Sequence, residues 1–214
     1  MKKGQVQTRH SIVDANWHEY VDLGLPSGNL WATCNVGASS PKEDGLFFMW
    51  GIRVGFDTNC TVPLNRDKWA NSFERKEIIR MGVSALPAKF DMAHSKMGGS
   101  WVLPSSNDFA ELTKAVSYDG TSDNIVQFAS KYNGQKISFP LPGYADFASV
   151  NGRNEAAYLW GCDMNSVHDP ITLAISRNGN ISVSSYNGHF GHSVRGVIHA
   201  SKDCHIIRKP NHQP

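Results

Sequence analysis

The sequence predicts a single α+β domain with many short strands, one clear helix and much loop. Short runs of alternating apolar and polar residues recur along the chain, and Gly, Pro and Asn separate them, which is typical of a strand-rich fold. One stretch after Pro104 instead has apolar residues at helical spacing. With 214 residues, of which 40% are hydrophobic, the chain can bury one sizeable core.

The beginning of the chain predicts strands. The segment from Tyr20 to Ala32 supplies apolar residues on both sides of Pro26-Ser27-Gly28, which favours two short strands joined by a turn. The aromatic run from Leu46 to Gly51 predicts a buried strand. Residues 1–19 are assigned to a polar leader that precedes the domain.

A long irregular segment follows, from Ile52 to Ala88. Gly, Pro, Asn and charged residues are mixed there, and the apolar residues lack the regular spacing of a helix or a strand. We therefore expect little regular structure beyond one helical turn around Phe73 to Arg80. Loops of this length inside a compact domain are often functional.

The best helix signal lies over Asn107 to Ala115. Ser105 or Ser106 can cap its N-terminus, and Asp108 with Glu111 suit the positive end of the helix dipole. The predicted apolar face is formed by Phe109, Leu112 and Val116.

The segment from Lys136 to Tyr144 predicts a strand whose two prolines belong at the edge of a sheet or at the end of a strand. Proline lacks the N–H group that a central strand would need for its ladder hydrogen bonds, and this segment has two prolines. Residues 202–214 are polar and are assigned to a loose tail, so the domain is expected to run over residues 20–201.

The strongest strand signal is a hairpin late in the chain. Ile171 to Ser176 and Ile181 to Ser184 alternate apolar and polar residues, and Asn178-Gly179 lies between them. Asn-Gly at this position predicts a tight turn with both central residues at positive φ. The hairpin therefore has one apolar and one polar face.

The segment from Ala156 to Ser201 has an unusual composition. It contains no Lys, Glu or Gln, whereas the rest of the chain holds 23 of these residues; at that frequency about six would be expected. Ser, Asn, His, Tyr, Gly and Arg are used instead, and these are typical of adaptable recognition surfaces. The alternative is that a polar hairpin simply has few long charged side chains. We expect a ligand-binding region over about 156–200.

Charge and hydropathy argue against several classes of partner. The 21 Lys and Arg residues and 19 Asp and Glu residues give a net charge of +2, without the basic run that nucleic-acid binding would need. No apolar run approaches the length of a membrane span. The start, MKKGQVQTRHSIVD, lacks the apolar stretch of a signal peptide. We therefore expect no nucleic-acid partner, no membrane insertion and no signal peptide in this chain.

The four cysteines, Cys34, Cys60, Cys162 and Cys204, are far apart and form no CxxC pair. Their spacing predicts neither a zinc site nor a disulfide framework, so buried or incidental thiols are the favoured interpretation. A nucleophilic Cys162 beside His168 remains an alternative.

No metal ion or other cofactor is expected. His189 and His192 are spaced like two zinc ligands but lack a carboxylate or thiolate close in sequence, which favours ordinary surface. The late region offers Asp163 and Asp169 as its carboxylates, and calcium needs about six to eight oxygen ligands. Since no Ser-His-Asp arrangement, phosphate loop or paired catalytic carboxylates stand out, we expect no catalytic residues and no enzyme activity.

Five segments follow one another in a recognisable order. They are YVDLGLPSGNLWATCNVGASSPKEDGLFFMWG, DMAHSKMGGSWVLPSSNDFAEL, NGQKISFPLPGYAD, YLWGCDMN and GHSVRGV. Together they resemble the Fibrobacter succinogenes major paralogous domain family, which is abundant in gut Bacteroidetes and their phages. The resemblance covers about Tyr20 to His199.

Three family motifs depart from their usual form. Trp-Arg-x-Pro-Thr, Tyr-Trp-Ser-Ser and Ser-Val-Arg-Pro-Val appear here as Trp101-Val102-Leu103-Pro104-Ser105, Tyr158-Leu159-Trp160-Gly161-Cys162 and Ser193-Val194-Arg195-Gly196-Val197. Because the closing motif belongs to a strand in the family, Arg195 is expected to be part of the scaffold.

The resemblance implies a C-type-lectin-like fold, the kind shared by formylglycine-generating enzymes and the variable proteins of diversity-generating retroelements. In that fold the terminal strands pair, and late strands and loops display the ligand surface. Retroelement variation changes adenines, so asparagine codons ending in a pyrimidine can become Ser, Tyr, His, Asp, Gly, Arg or Cys, or stay Asn, but never become Lys, Glu, Gln, Met or Trp. The late segment agrees with this range, with Trp160 and Met164 as unvaried positions.

A set of late residues is therefore expected to face the ligand, some of them at variable positions. Tyr158, Trp160 and Tyr186 are the expected aromatic anchors, although packing in the core is favoured for Trp160. The full set is Tyr158, Trp160, Asp163, Asn165, Ser166, His168, Ser182, Ser184, Tyr186, Asn187, His189 and His192.

The resemblance predicts a non-enzymatic receptor-binding protein of a gut Bacteroidetes phage or its host, virion-associated or at the cell surface. Its partner would be a protein or glycan receptor on a bacterial or host surface. One alternative is a bacterial adhesin or glycan-binding domain. Another is an oxidoreductase related to formylglycine-generating enzymes, which bind copper through close cysteines, whereas Cys162 and Cys204 are far apart in sequence.

Overall fold

The protein is a mixed α+β structure, as predicted, in which most regular structure is β-sheet. The computed structural model describes residues 12–13, 18–57, 66–146, 149–166 and 168–200. These residues form four sheets and four α-helices. No helix among them is long and apolar enough to cross a membrane.

The first sheet joins strands from near both ends of the described chain. Its strands, in spatial order, are β1 (Ile12–Val13), β2 (Glu19–Val21), β3 (Leu30–Ala32), β16 (Val197–Ile198) and β6 (Trp101–Val102). The antiparallel pair β2–β3 confirms the two strands predicted around the first turn. β16 pairs with both β3 and β6. β1 pairs with β2, so the segment assigned to the leader contributes a strand.

The second sheet contains the late hairpin. Its six strands, in spatial order, are β14 (Ile181–Ser185), β13 (Asp169–Ser176), β12 (Ala156–Ser166), β15 (His192–Ser193), β4 (Leu46–Phe48) and β5 (Phe56–Asp57). β13 and β14 are antiparallel, which confirms the predicted hairpin. β4 lies inside this sheet, as its aromatic sequence predicted.

The connection between β13 and β14 differs from the prediction. Gly179 has a φ of 82°, but Asn178 is not among the residues at positive φ. The amide of Gly179 donates to the carbonyl of Ser176, and the amide of Ser176 donates to the carbonyl of Asn180. The loop is therefore a three-residue connection with one left-handed glycine, and only that residue needs positive φ.

Two smaller sheets complete the strand structure. One contains β7 (Val116–Ser122), β8 (Ile125–Ser130) and β9 (Lys136–Pro140), and the other contains β10 (Tyr144–Asp146) and β11 (Ser149–Asn151). β9 is an edge strand, as its prolines predicted.

The sequence predicted one clear helix and one further helical turn, at most two helices, whereas the described residues contain four. They are α1 (Arg66–Ala70), α2 (Phe73–Met81), α3 (Met92–Met97) and α4 (Ser106–Ala115), and Ala88–Phe90 forms a short 3-10 turn. α2 shows why the pattern was hard to see: Ile78 is buried, whereas Phe73, Ile79 and Met81 are exposed. A helix without a continuous apolar stripe has no clear period in its sequence.

The helix α4 begins where the sequence predicted. The hydroxyl of Ser105 accepts a hydrogen bond from the amide of Asp108, and the Asp108 carboxylate accepts one from the amide of Ser105. This reciprocal capping box satisfies two N–H groups at the helix start. Phe109 and Leu112 are buried, as expected for the apolar face.

The six-stranded sheet is buried on both faces at its centre. Leu173 and Ile175 on one face belong to the same core cluster as Phe109 of α4. On the other face, Trp160 and Phe48 belong to a second core cluster. At the outer strand β14 the second face opens to solvent.

Arg195 belongs to the scaffold, as expected, although it lies between β15 and β16. Its fully buried guanidinium donates to the Asn35 side chain and to the carbonyls of Ala32, Thr33 and Ser138. Burial lowers the pKa of Arg195 to about 10. Cys60, Cys204 and the predicted tail, residues 202–214, lie outside the described residues.

Candidate functional site

Strand register brings the predicted polar positions and two predicted aromatic residues onto one face of the six-stranded sheet. Tyr158 lies opposite Ala174, which lies opposite Ser182. Trp160 lies opposite Thr172, which lies opposite Ser184. Residues directly opposite each other on paired strands point to the same face. We call the surface carried by Tyr158, Ala174, Ser182, Ser184 and Tyr186 the hairpin face.

Half-buried aromatic rings cover one part of the hairpin face. The ring centroid of Tyr158 lies 5.3 Å from the ring centroid of Tyr186 and 5.3 Å from that of Tyr144, and both contacts are edge-to-face. Tyr144 makes a further edge contact of 5.4 Å with Phe190. Edge-to-face packing of this kind holds rings in fixed orientations. The four rings, Tyr144, Tyr158, Tyr186 and Phe190, form what we call the aromatic cluster.

The floor below the aromatic cluster is built from two residues that the sequence analysis counted among the ligand-facing set. Trp160 and His192 are fully buried, and their rings stack with centroids 3.9 Å apart. The Trp160 indole donates to the carbonyl of Phe48 at 2.7 Å. Neither side chain reaches the surface. Trp160 therefore packs in the core, as was favoured, and His192, which was expected to face the ligand, is buried beside it.

The surroundings of these rings favour the uncharged forms of their titratable groups. Burial, with a smaller contribution from His189, lowers the pKa of His192 well below its ordinary value. Burial, followed by the neighbouring Tyr186 and Tyr144, raises the pKa of Tyr158. Both groups are therefore neutral at pH 7, and the aromatic cluster offers contact area and hydroxyl groups without charge.

A second group of predicted residues lies at the rim of the hairpin face. The amide of Gly188 donates a hydrogen bond to the carbonyl of His168, and the carbonyl of Gly188 accepts one from the amide of Trp50. A Cβ atom at Gly188 would lie 2.6 Å from the Trp69 ring, so only glycine fits this close approach. The exposed His168 and the half-buried Asn187 are thus fixed against the α1 region.

His189 is more enclosed than its glycine-rich loop suggested. It is 8% exposed, and its Nδ1 donates to the side-chain oxygen of Asn187 at 2.6 Å. Its Nε2 is 3.9 Å from the Asp146 carboxylate. Burial lowers the pKa of His189, the Asp146 charge opposes that change, and the Arg66 charge adds to it.

Three predicted residues lie at the C-terminal end of β12. The Asp163 carboxylate accepts hydrogen bonds from the amide and the hydroxyl of Ser106, both at 2.6 Å, and so binds the start of α4. The hydroxyl of Ser166 donates to Asp169 at 2.7 Å. Asn165 is exposed. The structure therefore gives Asp163 a scaffold contact that the sequence did not reveal.

The described cysteines do not form a reactive pair. Cys34 and Cys162 are free thiols, and burial raises the pKa of Cys162 to about 12. A thiol in this state is a poor nucleophile at neutral pH. Among the described residues, no three His, Cys, Asp or Glu side chains converge in a way that could hold a metal ion.

Sequence reasoning missed four residues that shape this region: Tyr144, Phe190, Trp69 and Arg75. Tyr144 was predicted at the end of a strand. Trp69 and Arg75 lie in the segment from Ile52 to Ala88, which has no regular spacing of apolar residues. Phe190, between two glycines of the late loop, could have been found as an aromatic residue in a region otherwise rich in polar residues. The other three reach the site through contacts between distant segments, for which the sequence had no local signal.

No protein-family model, curated protein or solved structure matches this chain. The geometry of the hairpin face, its aromatic cluster and its rim therefore carries the functional argument.

Proposed function

We propose that this protein is a non-enzymatic binding module that recognises a protein or glycan receptor through the hairpin face. One observation carries the proposal: half-buried tyrosines on a rigid sheet lie beside exposed serines, without a charged side chain in the cross-strand rows. Tyrosines give large contact area at small entropic cost, and serines adapt their hydrogen bonds to a partner.

The rigid floor supports this proposal. Tyr158 and Tyr186 contact the buried His192 ring, which stacks on Trp160. Binding hot spots are often aromatic residues held in partly desolvated positions. Because the anchors are held before binding, they would lose little additional conformational freedom when a partner binds.

We also propose the finer fold assignment, a C-type-lectin-like domain of the variable-protein type. The pairing of β3 with β16 and the late position of the hairpin face agree with what the sequence resemblance implies. In this proposal the protein is a retroelement-diversified receptor-binding protein of a gut Bacteroidetes phage or its host.

Receptor binding is tested on an array of gut-bacterial surface proteins and glycans. The variants are Tyr186→Ala on the hairpin face and Tyr132→Ala as the control, since Tyr132 is exposed in the β8–β9 turn. Loss of binding in Tyr186→Ala alone, with unchanged thermal unfolding, supports the proposal. Equal binding by all three proteins contradicts it. Whether the wild type binds protein spots or glycan spots shows the class of the receptor.

Diversification is tested separately by sequencing the gene together with any near-copy in the same genome. The proposal predicts differences confined to adenines of the template and concentrated in codons of the hairpin face. Differences spread over all four bases, or a genome without a template, would contradict the retroelement assignment and leave the binding assignment intact.

A further inference from the structure

Arg75 is buried in an unusual environment next to the rim of the hairpin face. It is 1% exposed, and its guanidinium lies over the Trp69 ring at 4.6 Å. Its Nη2 donates to Nδ1 of His168 at 3.2 Å. Among the residues that the structure describes, neither Nε nor Nη1 has a hydrogen-bond partner. A permanently charged group is therefore buried with one neutral acceptor.

Arg195 shows how the same chain satisfies a buried guanidinium. Its nitrogens donate to one side-chain oxygen and three backbone carbonyls, and like Arg75 it is almost without exposed surface. Arginine does not lose its proton in proteins. A buried charge without compensating acceptors is strongly destabilising. Arg75 thus lacks the acceptors that a buried guanidinium requires.

The unused donors of Arg75 have the geometry of an anion-binding fork. A guanidinium has five N–H donors, and the contact with His168 uses one hydrogen of Nη2. Whichever Nη2 hydrogen this is, the edge that His168 occupies carries a second donor without a partner, Nε or Nη1, so turning His168 away would leave two parallel donors there. Two parallel donors match the two oxygens of a carboxylate, sulfate or phosphate group.

His168 is the side chain that contacts this edge of the guanidinium. It is exposed, and its backbone is fixed by hydrogen bonds to Ser166 and Gly188. Since arginine only donates, Nδ1 of His168 must be the acceptor in the contact with Arg75. An exposed ring changes rotamer quickly, so turning it would open the guanidinium without backbone movement.

We propose that Arg75 binds an oxyanion group of the ligand at the rim of the hairpin face, and that His168 covers Arg75 when the site is empty. This inference names a chemical group of the ligand and so rests on the proposed function. Its test uses small anions and needs no receptor, so the two can fail separately.

The test is an NMR titration of the full chain with sodium acetate, sodium sulfate or sodium phosphate, with sodium chloride keeping the ionic strength constant. We expect a saturable shift of the Arg75 Nε–H signal and a rise in the thermal midpoint with at least one anion. The anion with the highest affinity shows whether the site prefers a carboxylate or a tetrahedral oxyanion. Equal changes in the chloride control, or no saturable shift with any anion, would overturn the proposal.

Variants assign the effect to Arg75. Arg75→Met keeps an unbranched side chain on Trp69 but removes the Nε–H signal itself, so its readout is the thermal midpoint, which should no longer rise with the anion. Arg177→Gln, at an exposed arginine of the hairpin loop, should retain both responses. His168→Ala should bind the anion with equal or higher affinity. A loss of binding in His168→Ala would overturn its covering role, and this readout remains informative if Arg75→Met does not fold.

Discussion

The imidazole of His192 stacks on the indole of Trp160, with ring centroids 3.9 Å apart and planes inclined by 22°. This pair links the second core cluster to the aromatic cluster of the hairpin face, because Tyr158 and Tyr186 contact His192 from the other side. The rings of Tyr158 and Tyr186 are thus positioned against the buried core.

Truncation of the lower ring should destabilise the whole domain. Trp160→Ala removes the stack and the hydrogen bond to the Phe48 carbonyl, so we expect a loss of about 3–5 kcal/mol in the free energy of unfolding. Urea denaturation measures this loss. Tyr132→Ala, at an exposed ring, should change stability by less than about 0.5 kcal/mol. A small effect of Trp160→Ala would contradict the packing described for this ring.

The buried imidazole should make stability depend on pH. The pKa of His192 is lowered in the folded state, so its contribution is complete above the ordinary histidine pKa. As the pH falls below that value, the unfolded chain takes up a proton that the folded chain does not, and stability decreases by up to about 1.4 kcal/mol per pH unit. The lowered pKa of His189 acts in the same direction.

His199 acts in the opposite direction. Its hydrogen bond to Asp108 raises its pKa, so its contribution is complete below the ordinary pKa and is lost as the pH rises through the folded value. His192→Gln isolates the first effect: the difference in unfolding free energy between wild type and variant should shrink from pH 7 to pH 5. A difference that stays constant over this interval would contradict a buried neutral His192.

Asp163 allows a scaffold role to be separated from a ligand-facing role. Asp163→Ala removes both acceptor contacts at the start of α4 and should lower the free energy of unfolding by about 1–2 kcal/mol. Asn165→Ala, at an exposed neighbour, should leave stability within about 0.5 kcal/mol. Unchanged stability of Asp163→Ala together with lost receptor binding would show that Asp163 faces the ligand instead.

Thiol chemistry tests the non-enzymatic assignment. With its pKa raised to about 12 by burial, Cys162 should resist iodoacetamide in the folded protein at pH 8 and react after unfolding in urea. Peptide mapping by mass spectrometry follows each cysteine separately. Rapid alkylation of native Cys162 would instead favour a nucleophilic role for this residue.

The elements predicted best are those with strong local signals. The β13–β14 hairpin follows from strict alternation around Asn178-Gly179, and α4 follows from a capping serine, acidic residues in its first turns and apolar residues at helical spacing. The turn type was wrong because several loop lengths accept Asn-Gly, and only tertiary contacts select among them.

The candidate site was predicted only in part for a similar reason. Strand alternation was enough to place Ser182 and Ser184 on one face, but burial depends on what the other segments bring. Trp160 and His192 are covered by rings and helices from distant parts of the chain, and Arg75 enters from a helix with no apolar stripe. Composition identified the region without distinguishing its surface from its floor.

The most direct test of the hairpin face is the affinity of its receptor for Ser184→Arg, with Ser117→Arg as the control. Both serines are exposed strand residues, but Ser184 lies in the Trp160 row and Ser117 lies in the β7–β8–β9 sheet. A long charged side chain in the middle of the face should weaken binding by about tenfold or more, equivalent to about 1.4 kcal/mol, without changing the thermal midpoint. Wild-type affinity in Ser184→Arg would contradict the central claim that this face binds the receptor.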